Sequence, residues 1–165
     1  VVISGTKEER GILSSHIHSD GKHVEKLYVK EPSTSNSKRL SQESIEKGEH
    51  FISMNGREVF RHALKRFPEA INEAIKHNNL TYDDITLIIP HQANLRISEA
   101  IKKKLELRDD QIYNNIHKYG NTTAGTIPIS LAEVVNKGKL SRGDIVIFAS
   151  FGSGFTWASC IMEWL

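Results

Sequence analysis

The run Pro90-His91-Gln92-Ala93-Asn94-Leu95-Arg96 sets a histidine and an amide at the junction between an apolar segment and an amphipathic helix. Residues 85–89 (Ile-Thr-Leu-Ile-Ile) read as a buried strand, and Leu95, Ile97, Ala100, Ile101 and Leu105 recur at helical spacing. His91 is therefore expected at the carboxyl end of a strand, the edge of an open α/β sheet where ligands bind. A second junction follows. Ile112-Tyr113-Asn114-Asn115-Ile116 is β-prone, and the small residues of 120–128 lead into a helix expected over 129–135, which delivers Asn121 to the same edge. A third lies after 145–149, where Phe151-Gly152-Ser153-Gly154-Phe155 makes a glycine-flanked loop before a final strand. Three polar or glycine-rich tips on one rim are how an active site is assembled from separate loops.

Three motifs, Pro90-His91-Gln92-Ala93-Asn94, Tyr119-Gly120-Asn121-Thr122-Thr123-Ala124 and Phe151-Gly152-Ser153-Gly154-Phe155-Thr156-Trp157, give the chain a family resemblance. In order and approximate spacing they resemble β-ketoacyl-acyl carrier protein synthase III, the condensing enzyme that starts type II fatty acid synthesis. The resemblance spans essentially all 165 residues but only the C-terminal half of that enzyme. It implies an acyl group moved from acetyl-CoA onto a cysteine, then decarboxylation of malonyl-carrier protein to a carbanion that attacks the acyl thioester. Negative charge builds on the malonyl thioester oxygen, and two neutral donors stabilise it without offering a proton that would quench the carbanion. His91 and Asn121 match that donor pair. The Ser153 backbone N–H matches a donor to the tetrahedral oxyanion, and Phe151 matches a residue that shields the decarboxylation site from water.

The resemblance also places Asn94, Gly56 and Phe60 along a pantetheine tunnel that admits CoA and the carrier arm. Arg96, Lys103, Lys104 and Arg61 would dock an acidic acyl carrier protein. Arg96, Lys103 and Lys104 share one helical face, and Arg57, Arg61 and Lys65 share another. Each residue also has a plainer reading: His91 as a helix-start residue, Asn121 as a left-handed turn residue, Phe151 and Phe60 as core aromatics, and the basic residues as a solvated helix surface. Cys160, inside the final strand, reads as a buried structural residue, so the family's nucleophile is expected upstream of Val1. His16, His18, Asp20 and His23 lack a distinctive metal-ligand spacing, and no metal site is expected.

The elements that must position these residues are legible in part. Residues 1–4 and 11–18 read as strands, and 30–48, rich in Ser, Pro, Asn, Lys and Glu, as an exposed loop with a short helix near 42–46. Residues 55–77 carry an apolar stripe (Val59, Phe60, Ala63, Leu64, Phe67, Ala70, Ile71, Ala74, Ile75), and Pro68 is expected to bend or locally open that helix. The alternation of strands and helices predicts an α/β fold, a thiolase-like half with a mixed, mainly parallel five-stranded sheet and helices on both faces.

At 165 residues the chain suits one domain, 1–165, with 30–48 as an insertion within it. Twenty-two basic and 20 acidic residues leave a net charge of +2, which gives no global argument for nucleic acid. There is no run of 18 apolar residues and no signal-peptide pattern at the start, so the expectation is a cytoplasmic protein off the membrane. A lone cysteine suits a reducing compartment. The first residue is not methionine, so the chain reads as beginning partway through a longer frame.

The expected substrates are acetyl-CoA and the phosphopantetheine of the carrier protein, with no permanently bound cofactor. The missing N-terminal half completes the site, the full enzyme is a homodimer, and the chain alone is inactive. Two alternatives stay open: a noncatalytic module or partner subunit that binds carrier protein or CoA, and a related thiolase-like synthase of polyketide or alkylquinolone type.

Overall fold

The computed structural model describes residues 3–8, 10–35 and 37–165. Val1 and Val2 of the first expected strand lie outside the described residues, and Ile3 and Ser4 are not in a strand. The main sheet holds β1 (Gly11–Ser19), β4 (Leu87–Pro90), β5 (Ile145–Gly152) and β6 (Thr156–Glu163) in the order β1-β6-β5-β4. A separate two-stranded ribbon pairs β2 (Leu27–Val29) with β3 (Ile52–Met54). Between them α1 (Gln42–Glu46) forms where the sequence reading placed a short helix, and Ser41 caps it.

Among the described residues the sheet is mixed, but four-stranded and mainly antiparallel. β1 and β5 both run antiparallel to β6, and only β4 and β5 are parallel. The tight hairpin from β5 into β6 forces one of those antiparallel pairings, and β1 adds itself to the far side of β6. The fifth position is reduced to a single parallel bridge between Ile88 and Ile112.

The buried Gln92 side chain explains why the fifth strand stops there. Its Nε2 donates to Pro90 O (2.8 Å) and Tyr113 O (3.2 Å), while its Oε1 accepts the Asn115 N–H (3.0 Å). A side-chain amide thus stands where the backbone of β4 would have continued the ladder.

Helices cover both faces, as the alternation along β4 requires. Ile88 joins the core cluster with Ala63, Phe67 and Ile71 of α2 (Gly56–His77) and with Ile97 and Ile101 of α3 (Leu95–Lys104). Leu87 and Ile89 face the other way, into a cluster with Val134 of α5 (Thr126–Asn136). All four β4 residues are buried, as expected of a strand covered on both sides. Asn55 caps α2 by accepting the Glu58 N–H, and the helix continues through the buried Pro68. The short α4 (Ile116–Tyr119) ends at Gly120, whose φ of +67° favours glycine. Among the described residues no helix is long and apolar enough to cross a membrane.

Candidate active site

The carboxyl end of β4 opens into a cleft of about 790 Å³. His91, Asn121, Phe151 and Ser153 all line it, and so do Asn94, Gly56 and Phe60. Seven residues from four separate stretches of the chain therefore share one cavity. The four basic residues, Arg61, Arg96, Lys103 and Lys104, lie outside its lining on the exposed surfaces of α2 and α3.

His91 is fixed by the fold before its ring is considered. It follows β4 directly, and its backbone N–H donates to Ala149 O of β5 (2.8 Å). Its ring Nδ1 lies 2.6 Å from Thr126 Oγ1 on the first turn of α5. Burial holds the imidazole pKa below its ordinary value, so the neutral form is favoured.

Asn121 is oriented by the next turn. Its Oδ1 accepts the Thr123 N–H (2.9 Å), which leaves the Nδ2 hydrogens as donors for a ligand. The two residues are linked. The Thr123 amide holds the Asn121 carbonyl, and the Thr126 hydroxyl lies between the Thr123 carbonyl (3.0 Å) and His91 Nδ1 (2.6 Å). The left-handed positions here are Gly120 and Thr123 (φ +67° and +51°), and Asn121 is not among them. The left-handed conformation expected of it is thereby corrected, while its side chain does hold the turn.

The loop between β5 and β6 is clamped on both sides. Asp20 and Phe155 exchange a reciprocal pair of backbone hydrogen bonds (2.7 and 2.8 Å), and Thr156 Oγ1 donates to Ser153 O (2.8 Å). Ser153 Oγ donates to Leu27 O of β2 (2.6 Å), so the side chain ties the loop to the ribbon that walls the cleft. Ser153 is not among the positive-φ residues, and a serine is accommodated without backbone strain. Gly154 is different: with φ at +131°, an added Cβ would meet Thr156 Cγ2 at 2.8 Å.

Phe151 and Phe60 pack in the core and also line the cleft. Phe151 is 5% exposed and packs against Phe155, yet borders the cleft. Phe60 packs against the core from a cleft-lining position. Asn94 caps α3, its Oδ1 accepting the Arg96 N–H (2.9 Å), which frees its NH₂. A Cβ at Gly56 would meet no atom within 4 Å. Packing alone therefore does not demand glycine there.

The basic residues differ in how free their charge is. Arg61 pairs with Glu58 (2.6 Å), and Lys104 donates to Leu64 O (3.0 Å), which joins α3 to α2. Arg57, Arg96 and Lys103 have no ion-pair partner among the described residues. Cys160 is half-buried in β6, outside the cleft, and burial pushes its thiol pKa up. That is opposite to what a nucleophile needs. His16 and His18 both turn to Glu73, and among the described residues no group of three or more ligating side chains could hold a metal ion. Gln92, Thr123 and Thr126 shape the site but were not singled out by sequence. Nothing in the run 120–128 distinguishes the threonine that meets His91 from its neighbours.

Residues 75–164 match the family described as 3-oxoacyl-[acyl-carrier-protein (ACP)] synthase III C terminal. A β-ketoacyl-[acyl-carrier-protein] synthase III of Caldanaerobacter subterraneus is 41% identical over 163 residues, covering 99% of this chain and 49% of the relative. One of Clostridium tetani is 44% identical over 162 residues, covering 95% and 48%. The crystal structure of the synthase III of Thermus thermophilus superposes with a TM-score of 0.85 at 34% identity, covering 99% of this chain and 49% of that one. The chain thus spans about half the length of the curated relatives it matches. With the motifs, the fold and a family match over more than half its residues in agreement, the chain belongs to the β-ketoacyl-acyl carrier protein synthase III family, in its C-terminal part.

Proposed function

We propose that this chain is the C-terminal thiolase-like domain, over residues 1–165, of a β-ketoacyl-acyl carrier protein synthase III, with 30–48 as an exposed insertion. The reaction is the decarboxylative condensation of an acyl group, from acetyl-CoA, with malonyl-carrier protein. The observation that supports it best is the shared cleft, where His91 and Asn121 converge through a single turn, with His91 Nδ1 against Thr126 Oγ1 and the Asn121 carbonyl engaged by the Thr123 N–H.

In the proposed reaction malonyl thioester loses CO₂, and the electron pair left on carbon delocalises onto the thioester oxygen. The His91 imidazole and the Asn121 carboxamide each donate a hydrogen bond to that oxygen. Preorganised neutral donors stabilise the developing charge without reorganising. The carbanion then attacks the acyl thioester carbonyl, whose oxygen becomes an oxyanion held by the Ser153 N–H. That attack forms the new C–C bond, and collapse of the intermediate restores the carbonyl and expels the cysteine thiolate. The thiol comes from a part of the protein outside this chain, since Cys160 has neither the position nor the pKa.

Asn94 would bond the pantetheine while Gly56 and Phe60 shape its passage. Arg61, Arg96, Lys103 and Lys104 would steer an acidic carrier protein to the mouth. No resident cofactor is needed, because every donor is a protein N–H. The working enzyme would be a cytoplasmic homodimer.

The experiment is malonyl-carrier protein decarboxylation by the full-length protein. His91→Ala is expected to lower its rate by roughly 10²-fold or more, the cost of losing one oxyanion donor, with the fold intact by circular dichroism. A wild-type rate in His91→Ala would sink the assignment. The 165 residues alone are expected to incorporate no acetyl group.

A further inference from the structure

A neutral imidazole carries one proton, and only the nitrogen that bears it can donate. In His91 the Nδ1 atom is taken up with Thr126 Oγ1 (2.6 Å), which leaves Nε2 as the nitrogen for a ligand in the cleft. Whether Nε2 is a donor is therefore decided by a single hydroxyl proton on Thr126.

That proton has two places to go. Directed at the Thr123 carbonyl, 3.0 Å away, it would require Nδ1 to be the N–H and would leave Nε2 a bare lone pair. Directed at Nδ1, it leaves the hydrogen on Nε2. Three features favour the second arrangement. The Thr123 carbonyl already accepts the Thr126 backbone N–H, so it does not depend on the hydroxyl. The contact with Nδ1 is the shorter of the two (2.6 against 3.0 Å). Thr126 is only 2% exposed, so the hydroxyl cannot turn to bulk water instead. The residue itself is held: Ser130 Oγ donates to Thr126 O (2.8 Å) one turn along α5.

We propose that Thr126 is a positioning residue that locks His91 in the Nε2–H tautomer by donating its hydroxyl proton to Nδ1. The turn from Asn121 to Thr126 then sets the polarity of both donors at once. The Thr123 amide N–H fixes which end of the carboxamide faces the ligand, and the Thr126 hydroxyl fixes which nitrogen of the imidazole does. The catalytic consequence rests on the proposed function; the tautomer does not.

The test is ¹⁵N NMR of the histidine ring nitrogens, with His91 assigned by its disappearance in His91→Asn. In the wild-type protein Nδ1 should show the shift of an unprotonated nitrogen and Nε2 that of a protonated one. Thr126→Ser, which keeps the hydroxyl, should preserve the pattern. Thr126→Val, of the same shape without the hydroxyl, should give a mixture of tautomers. In the full-length protein Thr126→Val should lower kcat for malonyl-carrier protein decarboxylation about tenfold or more, with KM changed by less than about twofold and the rate recovered in Thr126→Ser.

A protonated Nδ1 in the wild type, or an unchanged Nε2–H preference in Thr126→Val, overturns the proposal. If the valine variant fails to fold, a protonated Nδ1 in the wild type or in Thr126→Ser still overturns the proposal. An altered tautomer with undiminished decarboxylation would uphold the hold of Thr126 on the ring and overturn the donor role of His91 instead.

Discussion

His91 is a neutral hydrogen-bond donor only while its imidazole stays unprotonated, and burial works in that direction. Its pKa in the folded protein lies below the ordinary 6.5, at which it would titrate in the unfolded chain. Below about pH 6.5 the unfolded chain takes up a proton that the folded one refuses. The stability contributed by the neutral ring is therefore complete above that pH and is lost as the pH falls through the folded value. A titration of the His91 ring followed by NMR should show a midpoint under 6.5, and a midpoint at or above 6.5 would show that the cleft does not desolvate the ring. Phe151 and Phe60 show why single residues resist one label at this scale. A side chain on the wall of a cleft is at once core on one side and site on the other, and sequence patterning registers only the apolar character that both roles share.

At the scale of elements, Gln92 decides where β4 ends. The amide replaces a stretch of ladder and satisfies Pro90 O, Tyr113 O and Asn115 N–H while only 3% exposed. Gln92→Met keeps the length and apolar bulk of the side chain but orphans these backbone groups. An unsatisfied buried group costs ~1–3 kcal/mol. Chemical denaturation should therefore show a loss on the order of 3 kcal/mol, and a change within ~0.5 kcal/mol would mean that the groups find other partners. The same substitution should broaden the signals of residues 112–116 and of His91, since the segment between Gln92 and Asn115 aligns both junctions of the rim. The β-prone run over 112–116 reads as a full strand because sequence periodicity reports what a segment could pair with. It does not report that a neighbouring side chain has already taken the pairing positions.

The whole molecule is almost neutral, with a net charge of +2, yet its charge is unevenly spent. Lys47, Arg61, Lys102 and Lys118 have acidic partners, whereas Arg57, Arg96 and Lys103 lack them among the described residues. Unpaired surface cations act at long range and are screened by salt. Reversing Arg96 and Lys103 to Glu together should weaken carrier-protein association by roughly tenfold or more at low ionic strength, with the difference shrinking as salt is added. Equal affinity at low salt would remove these residues from the docking surface. The sheet is likewise unevenly covered. On β1, Ser14 meets Asn78 at the C-cap of α2 and His16 and His18 meet Glu73 within it, while Ile17 on the opposite side is 79% exposed.

The amino-acid sequence by itself determined the family, the placing of His91, Asn121 and the 152–154 loop at three strand or loop ends, and the apolar stripe of α2. The family rests on the resemblance of three motifs, and the placings and the stripe follow from local residue types and the periods of strand and helix. The tertiary structure alone decided the antiparallel bias of the sheet, the shortening of the fifth strand by Gln92, and the choice of Thr126, among several nearby threonines, as the partner of His91. Strand direction and side-chain partnership depend on which segments meet in space, and a hydroxyl 35 positions along the chain from a histidine leaves no periodic mark in the sequence that joins them.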